Sequence, residues 1–257
     1  MGKFEKIAIH ASHKPRAQKA LEELVGIYGN NKPEESDAIV VLGGDGSMLR
    51  ALHQFSPLKK PIFGMNLGTL GFLLNTYKPD NMLERINAAN AFEIHPLHMQ
   101  ATNKHGKIFE EIAFNEVSLL RETHSSAKIK ITVDGVERLK EIVCDGIMVS
   151  TPVGSTAYNS SAGGPIIPLN ANILPLTPIS VFRPRRWAGA LIHHESEIEF
   201  TILRAPERPV SVTADAKEIR DVTKVKVTES RDITCTLLFD PDNHLGERIY
   251  AEQFAPN

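Results

Sequence analysis

Residues 40–49 read VVLGGDGSML. An apolar run ends in Gly43, Gly44 and Gly46, wrapped around Asp45, and a stretch with helical spacing follows. Main-chain amides at the start of a helix form a ready anion site, and glycines let a ligand come close to the backbone. A carboxylate in such a loop opposes a phosphate unless it has work of its own. The residues leave three roles open for Asp45. It caps the helix, it holds a Mg²⁺ that accompanies a nucleotide phosphate, or it takes the proton of a hydroxyl attacking that phosphate. Ser47 is a second residue able to cap. The loop is neither a Walker A sequence nor a GxGxxG dinucleotide fingerprint. Arg50 lies one helical turn further on, placed to meet a phosphate or carboxylate or to stand in solvent.

A second constellation spans residues 144–169, CDGIMVSTPVGSTAYNSSAGGPIIPL. After a strand-like GIMVS come Thr151, Ser155, Thr156, Asn159, Ser160 and Ser161, separated by small residues and Gly154, Gly163 and Gly164. Tyr158 supplies one flat aromatic face. Many short hydrogen-bonding groups around one aromatic suit an adenosine, whose base packs and whose edges and ribose hydrogen-bond. A third stretch, FNEVSL (114–119), sets Asn115 and Glu116 in an apolar strand. Neighbours on a strand point to opposite faces, so both serve one cleft only where the strand ends.

The elements that must position these residues follow from patterning. KIAIH (6–10) and AIVVL (38–42) read as strands, the second apolar throughout as a parallel strand covered on both faces would be. Residues 15–29 carry an apolar face, Pro15 near the start and Gly29 at the end, the marks of a helix. Residues 47–55 predict a short helix, 61–75 a strand and a glycine-rich loop, and 79–92 another helix. Strand–helix alternation predicts a parallel α/β layer. Beyond about residue 93 the helical period gives way to short runs of partial alternation, with Asp134-Gly135 as a hairpin signal. The last stretch, from about 232, returns to strand plus helix. The expected division is an α/β domain of residues 1–96 with 232–257, carrying GGDG, and a β-rich domain of residues 97–231.

The 257 residues carry a net charge of −2, which gives no electrostatic reason to expect nucleic acid or an anionic membrane. No apolar stretch approaches the ~18–20 residues that span a bilayer, and the first residues lack the pattern of a signal peptide. Cys144 and Cys235, the two cysteines, show no metal or redox spacing, so a reducing, cytoplasmic setting is expected. Among the histidines, the pairs His95/His98 and His193/His194 lack a third ligand at metal spacing, and no metal-ligating residue is assigned.

GGDGSMLR, GMNLGTLGFL, FNEVSL and DGIMVSTPVGSTAYNSSAGGPI, in that order, resemble the bacterial NAD kinases. GGDG alone is shared with lipid kinases and 6-phosphofructokinases; GSTAYNSSAGGP is the discriminating stretch. The resemblance spans nearly the whole chain. It implies an N-terminal α/β domain, a β-rich, sandwich-like C-terminal domain, and a chain end that returns to the first. It implies transfer of the ATP γ-phosphate to the 2′-hydroxyl of the adenosine ribose of NAD, a divalent cation such as Mg²⁺, and a homodimer or homotetramer. Carried over, Asp45 is the catalytic base and Gly43, Gly44 and Gly46 cradle phosphate. Asn115 and Glu116 contact NAD, Thr156, Ala157 and Tyr158 hold adenine and ribose, and Ser161 lies by the nicotinamide half. Asp145 reaches the carboxamide, while Val153, Asn159 and Ser160 line the same site and Arg50 matches a basic ligand-contacting position. Two departures stand out. Ala216 follows Asp215 where many relatives have His or Gly, which puts in doubt a phosphate contact there. The 178–192 stretch is unusually rich in arginine, with Arg183, Arg185 and Arg186 open to a phosphate, a subunit contact or solvent. Two other readings are set beside this one: a lipid kinase sharing the GGDG loop, and a dinucleotide-binding sensor without catalysis.

Overall fold

A computed structural model describes residues 4–68, 71–242, 249, 253 and 254. It divides the chain into two compact units, residues 1–94 with 232–257 and residues 95–231.

The first unit runs β1 (Ile7–Ala11), α1 (Pro15–Tyr28), β2 (Ala38–Gly43), α2 (Asp45–Phe55), β3 (Ile62–Asn66), β4 (Asn75–Thr76), α3 (Met82–Ala88) and β5 (Asn90–Ile94). Its sheet has the order β1-β2-β3, then a strand from the end of the chain (Cys235–Phe239), then β5, with β4 beside β3. β1, β2 and β3 are parallel, and β2, central among them, is buried at every position, as its unbroken apolar run requires. Leu24 of α1, Val40 and Leu42 of β2, Phe63 and Met65 of β3 and Ile86 of α3 build the core. Gly64 lets α2 lie close on the sheet: a Cβ there would stand 2.3 Å from Met48 Cε.

Two expected helices are corrected. The helix at 47–55 begins earlier, at Asp45, with Gly44 as its N-cap. The helix expected at 79–92 stops at Ala88, and residues 90–94 form β5, antiparallel to the 235–239 strand. The alanine-rich composition favours helix locally, but an open sheet edge from the far end of the chain pairs with the segment instead. The helix expected in the tail falls mostly outside the described residues.

The second unit contains β6 (Leu97–Asn103), β7 (Ile108–Ala113), β8 (Glu116–Arg121), β9 (Ala127–Val133), β10 (Val136–Cys144) and β11 (Gly146–Ser150). A four-residue helical turn, α4 (Tyr158–Ser161), precedes β12 (Ile173–Ile179), β13 (Ala190–His193), β14 (Ile198–Ile202), β15 (Val210–Ala214), β16 (Lys217–Ile219) and β17 (Val222–Glu229); the strand at Cys235–Phe239 is β18. Two antiparallel sheets result, β10-β9-β14-β17-β6-β7 and β13-β12-β11-β8-β15-β16. Met99, Ile129, Ile131 and Phe200 of one sheet and Val117, Leu119, Val149 and Val212 of the other belong to a single buried cluster. β9 buries every second residue, the alternation of a strand with one face on a core. Asp134 and Gly135 take positive φ between β9 and β10, the two-residue turn that an Asp-Gly pair favours.

Candidate active site

The first unit presents the GGDG loop at the carboxyl end of β2, the edge where open α/β sheets gather their ligands. Gly43 is required by close approach. A Cβ there would lie 2.4 Å from Ser47 Oγ and 2.6 Å from Ser47 Cβ, inside the start of α2. Gly46 is the opposite case, exposed, with only Arg50 Nη1 at 4.0 Å from a built Cβ. Neither Asp45 nor Ser47 caps α2, because the N-cap is Gly44 and no side chain closes the helix end. The Asp45 carboxylate instead turns to the loop after β3. Phe72 N–H donates to one oxygen and Leu73 N–H to the other, each at 3.0 Å. That loop is fixed in turn by Asn75, fully buried, whose side-chain amide donates to the carbonyls of Gly64 and Leu238 and accepts from Asp240 N–H. Arg50 is exposed and donates to Ser47 Oγ at 3.2 Å. Beside the loop, His10 has its pKa lowered by burial first, then by the positive neighbours His13 and Arg50. Ser12, at the end of β1, is buried with its hydroxyl unpartnered among the described residues.

The second unit gathers Asn115, Glu116 and the 150–164 segment. β7 ends at Ala113 and β8 begins at Glu116, so the strand does break at the Asn-Glu pair. The main chain there is fully engaged. Asp215 accepts from the amides of Phe114 (2.7 Å), Asn115 (2.9 Å) and Glu116 (3.3 Å). On the other side, Thr151 Oγ1 donates to Phe114 O, and Ser150 Oγ and Thr151 N–H donate to Asn115 O. Gly154 packs so tightly here that a Cβ would stand 2.2 Å from Asn115 O. The side chains are another matter. The Asn115 amide makes no hydrogen bond among the described residues, and Glu116 Oε2 is buried without a partner. Burial, and next the charge of Asp215, push the Glu116 carboxyl up to about 7.

The polar residues of 150–164 divide in two. Ser155 and Asn159 are fully buried and spend their groups inside the loop. Ser155 Oγ donates to Pro152 O and accepts from Ile167 N–H. The Asn159 amide donates to Ser155 O and Pro165 O and accepts from Thr177 Oγ1. Asn159 therefore has no side-chain group left for a ligand. Val153 is buried as well, and its carbonyl accepts a long 3.5 Å contact from Thr156 Oγ1. Tyr158 and Ser161 are exposed, and Thr156, Ala157 and Ser160 are half-buried.

Asp145, one residue before β11, is held by Arg121, whose Nε donates to its carboxylate at 2.6 Å. Arg183, Arg185 and Arg186 are exposed; Arg183 pairs its main chain with Val143 and lies over the Phe182 ring. Glu195 brings a third ligand group to His193 and His194, which sequence spacing had not supplied. The Arg231 guanidinium, however, contacts both His194 and Glu229 there, a cation where a metal would have to bind. Burial pushes the Cys144 thiol up to about 12 and Cys235 to about 11, so neither offers a thiolate. Among the described residues, no helix is long and apolar enough to cross a membrane. Sequence reasoning missed the Phe72 and Leu73 amides and the anchoring by Asp215. The positive φ of Asp215, 50°, marks a tight β15–β16 turn, which TADAKEI hints at only through a lone Asp between alanines.

Residues 6–94 match the family model of the ATP-NAD kinase N-terminal domain, and residues 114–232 that of the C-terminal domain. An NAD kinase of Hyphomonas neptunium is 50% identical over 250 residues, covering 97% of this chain and 98% of the relative. That of Caulobacter vibrioides is 50% identical over 250 residues, covering 97% and 96%. Among solved structures, a yeast NADH kinase complexed with NADH superposes with a TM-score of 0.84 at 21% identity, covering 100% of this chain and 89% of the other, and supports the fold. An NAD kinase from Archaeoglobus fulgidus in complex with ATP gives a TM-score of 0.76 at 26% identity, covering 98% and 100%.

Proposed function

The chain belongs to the bacterial NAD kinase family, and from that premise we propose which of its residues carry the reaction. The activity is the family's: the γ-phosphoryl group of ATP passes to the 2′-hydroxyl of the adenosine ribose of NAD, giving NADP and ADP. Asp45 is the general base. It takes the hydroxyl proton as the new P–O bond forms and the bond to the ADP oxygen breaks. The observation that carries this assignment is the Asp45 carboxylate itself, held by one amide on each oxygen and released from any capping duty. A carboxylate has about four acceptor positions, so each oxygen keeps one for a substrate hydroxyl. The uncapped N-terminus of α2, with Gly44 and Gly46, faces the transferred phosphoryl group. Arg50 adds a positive charge, and Gly43 keeps the turn tight.

Asp45 is the single carboxylate in residues 43–50, and both its oxygens already accept an amide. A divalent cation such as Mg²⁺, bound together with ATP, would offset the charge of its phosphates. On the second unit, Asn115, Glu116, Thr156, Ala157, Tyr158, Ser160 and Ser161 take up NAD, because theirs are the half-buried or exposed side chains. Asn159 and Val153 hold the loop in shape. Asp145, steadied by Arg121, receives the carboxamide. The Archaeoglobus relative's complex with ATP supports ATP as the donor. Buried, unpaired cysteines fit a cytoplasmic setting, and exposed Phe182 and Leu191 fit a homo-oligomer.

The test is a coupled assay with NAD, ATP and Mg²⁺, in which a dehydrogenase specific for NADP reads the product. NADP formation is expected. NAD binding without product would favour the sensor, and neither binding nor product, with phosphorylation of diacylglycerol, would favour the lipid kinase.

A further inference from the structure

We propose that Asp215 is a positioning residue for NAD, acting through the Asn115–Glu116 pair rather than through a phosphate. The proposal rests on the NAD kinase reading above and deepens it. Asp215 opens the two-residue turn between β15 and β16, in the left-handed conformation that Asp tolerates better than most residues. From there its carboxylate reaches 100 residues back in sequence. It collects the three successive amides of Phe114, Asn115 and Glu116 on its two oxygens. Its own amide donates to Glu116 O, which closes the attachment in both directions.

The consequence is a division between main chain and side chain. At the break between β7 and β8, ladder hydrogen bonds are lost, and buried amides left unpaired would cost about 1–3 kcal/mol each. Asp215 supplies the missing acceptors. The Asn115 side-chain amide need not turn inward to do so and stays half-buried and open for a substrate, while Glu116 Oε2 lies buried without a partner. Ala216 adds only a methyl to the turn, so the polar work of this hairpin falls on Asp215 and is directed inward.

The same placement sets charge against charge. From the β15–β16 turn, Asp215 faces Glu116; from β11, the residue opposite Glu116 is the neutral Ser150. The Asp215 charge adds to burial in raising the Glu116 pKa. Removing that charge while keeping the shape moves Glu116 ionisation to lower pH, an effect that a merely structural residue would not produce.

The experiment compares the wild type with Asp215→Asn and Asp215→Ala, measuring kcat, the KM for NAD and for ATP, and NAD KM against pH. Amide hydrogen exchange at Phe114–Glu116 is followed in parallel. Asp215→Ala is expected to raise the NAD KM about tenfold or more, with kcat and ATP KM changed less than about threefold. Asp215→Asn keeps one acceptor oxygen and should fold even if Asp215→Ala does not. It is expected to raise NAD KM less, to move the NAD KM profile to lower pH, and to lose exchange protection only at the amides its single oxygen no longer holds, whereas Asp215→Ala loses it at all three. Unchanged NAD KM and pH profile in folded Asp215→Asn would overturn the proposal, as would kcat and both KM values worsening together. A wild type that makes no NADP would instead count against the kinase reading, and the exchange data would still judge the anchoring.

Discussion

The GGDG loop and the 150–164 loop are both rich in glycine and small polar residues, yet they are built by opposite means. In the first, on the reading proposed above, the main chain meets the phosphate and one side chain carries the chemistry. Gly43 is a glycine because the start of α2 lies too close for a Cβ, and Asp45 is aimed by two amides from a neighbouring loop. In the second, the main chain is consumed internally and the side chains are sorted. Ser150, Thr151, Ser155 and Asn159 hold the loop together, while Tyr158 and Ser161 are exposed, and at the strand break beside it the Asn115 amide stays open. Residue type alone does not separate the two groups: Asn115 and Asn159 are chemically identical, and one is open while the other is saturated.

Substitutions sharpen that contrast. The largest effect is expected at Asp45. Asp45→Asn keeps the shape and one of the two amide contacts, since its Nδ2 cannot accept, and removes the base; it should lower kcat about 10²–10⁴-fold with NAD affinity largely intact. Gly154→Ala comes next, since the added carbon meets the Asn115 carbonyl at 2.2 Å. It should cost up to about 3 kcal/mol of stability in denaturant melts and raise NAD KM, because the strained partner belongs to the substrate pair. Asn159→Ala strands the buried Thr177 hydroxyl and the carbonyls of Ser155 and Pro165, and should cost about 2 kcal/mol. Tyr158→Ala, at the exposed end of the same turn, should leave stability within about 0.5 kcal/mol and raise NAD KM. If Asn159→Ala melted like the wild type and lost only NAD affinity, the sorting of the loop would be wrong.

The smallest effect expected is a pH dependence. Glu116 ionises at about 7 in the folded protein against an ordinary 4.5. Between those values the folded state holds more protons than the unfolded, so stability falls as pH rises from about 4.5 to 7 and is level above. Glu116→Gln removes the ionised form and should stabilise the protein by about 1–2 kcal/mol at pH 8, with little effect at pH 4. Melting temperatures across that range check it.

What was readable in advance follows the same division. The continuous apolar run of β2 and the Asp134-Gly135 turn declare themselves because burial and turn conformation depend on the residues themselves. Residues 89–94 do not, since only β18, arriving from the end of the chain, makes a strand of an alanine-rich segment. Asp45 stood out because a carboxylate among phosphate-binding glycines needs a reason. The roles of Asn159 and Asp215 stayed hidden because their partners are set by contacts across the fold, Asp215 with amides a hundred residues earlier. Hydrophobic periodicity carries no record of which polar group meets which.

The separation of chemistry from binding is tested most directly by measuring kcat and calorimetric NAD affinity for Asp45→Asn and Asn115→Ala side by side. Collapse of turnover with intact NAD binding in Asp45→Asn, and weakened NAD binding with kcat nearly retained in Asn115→Ala, is the predicted result. Loss of NAD binding in Asp45→Asn with turnover preserved at saturating NAD would contradict it, placing Asp45 among the binding residues and leaving the proton to another group.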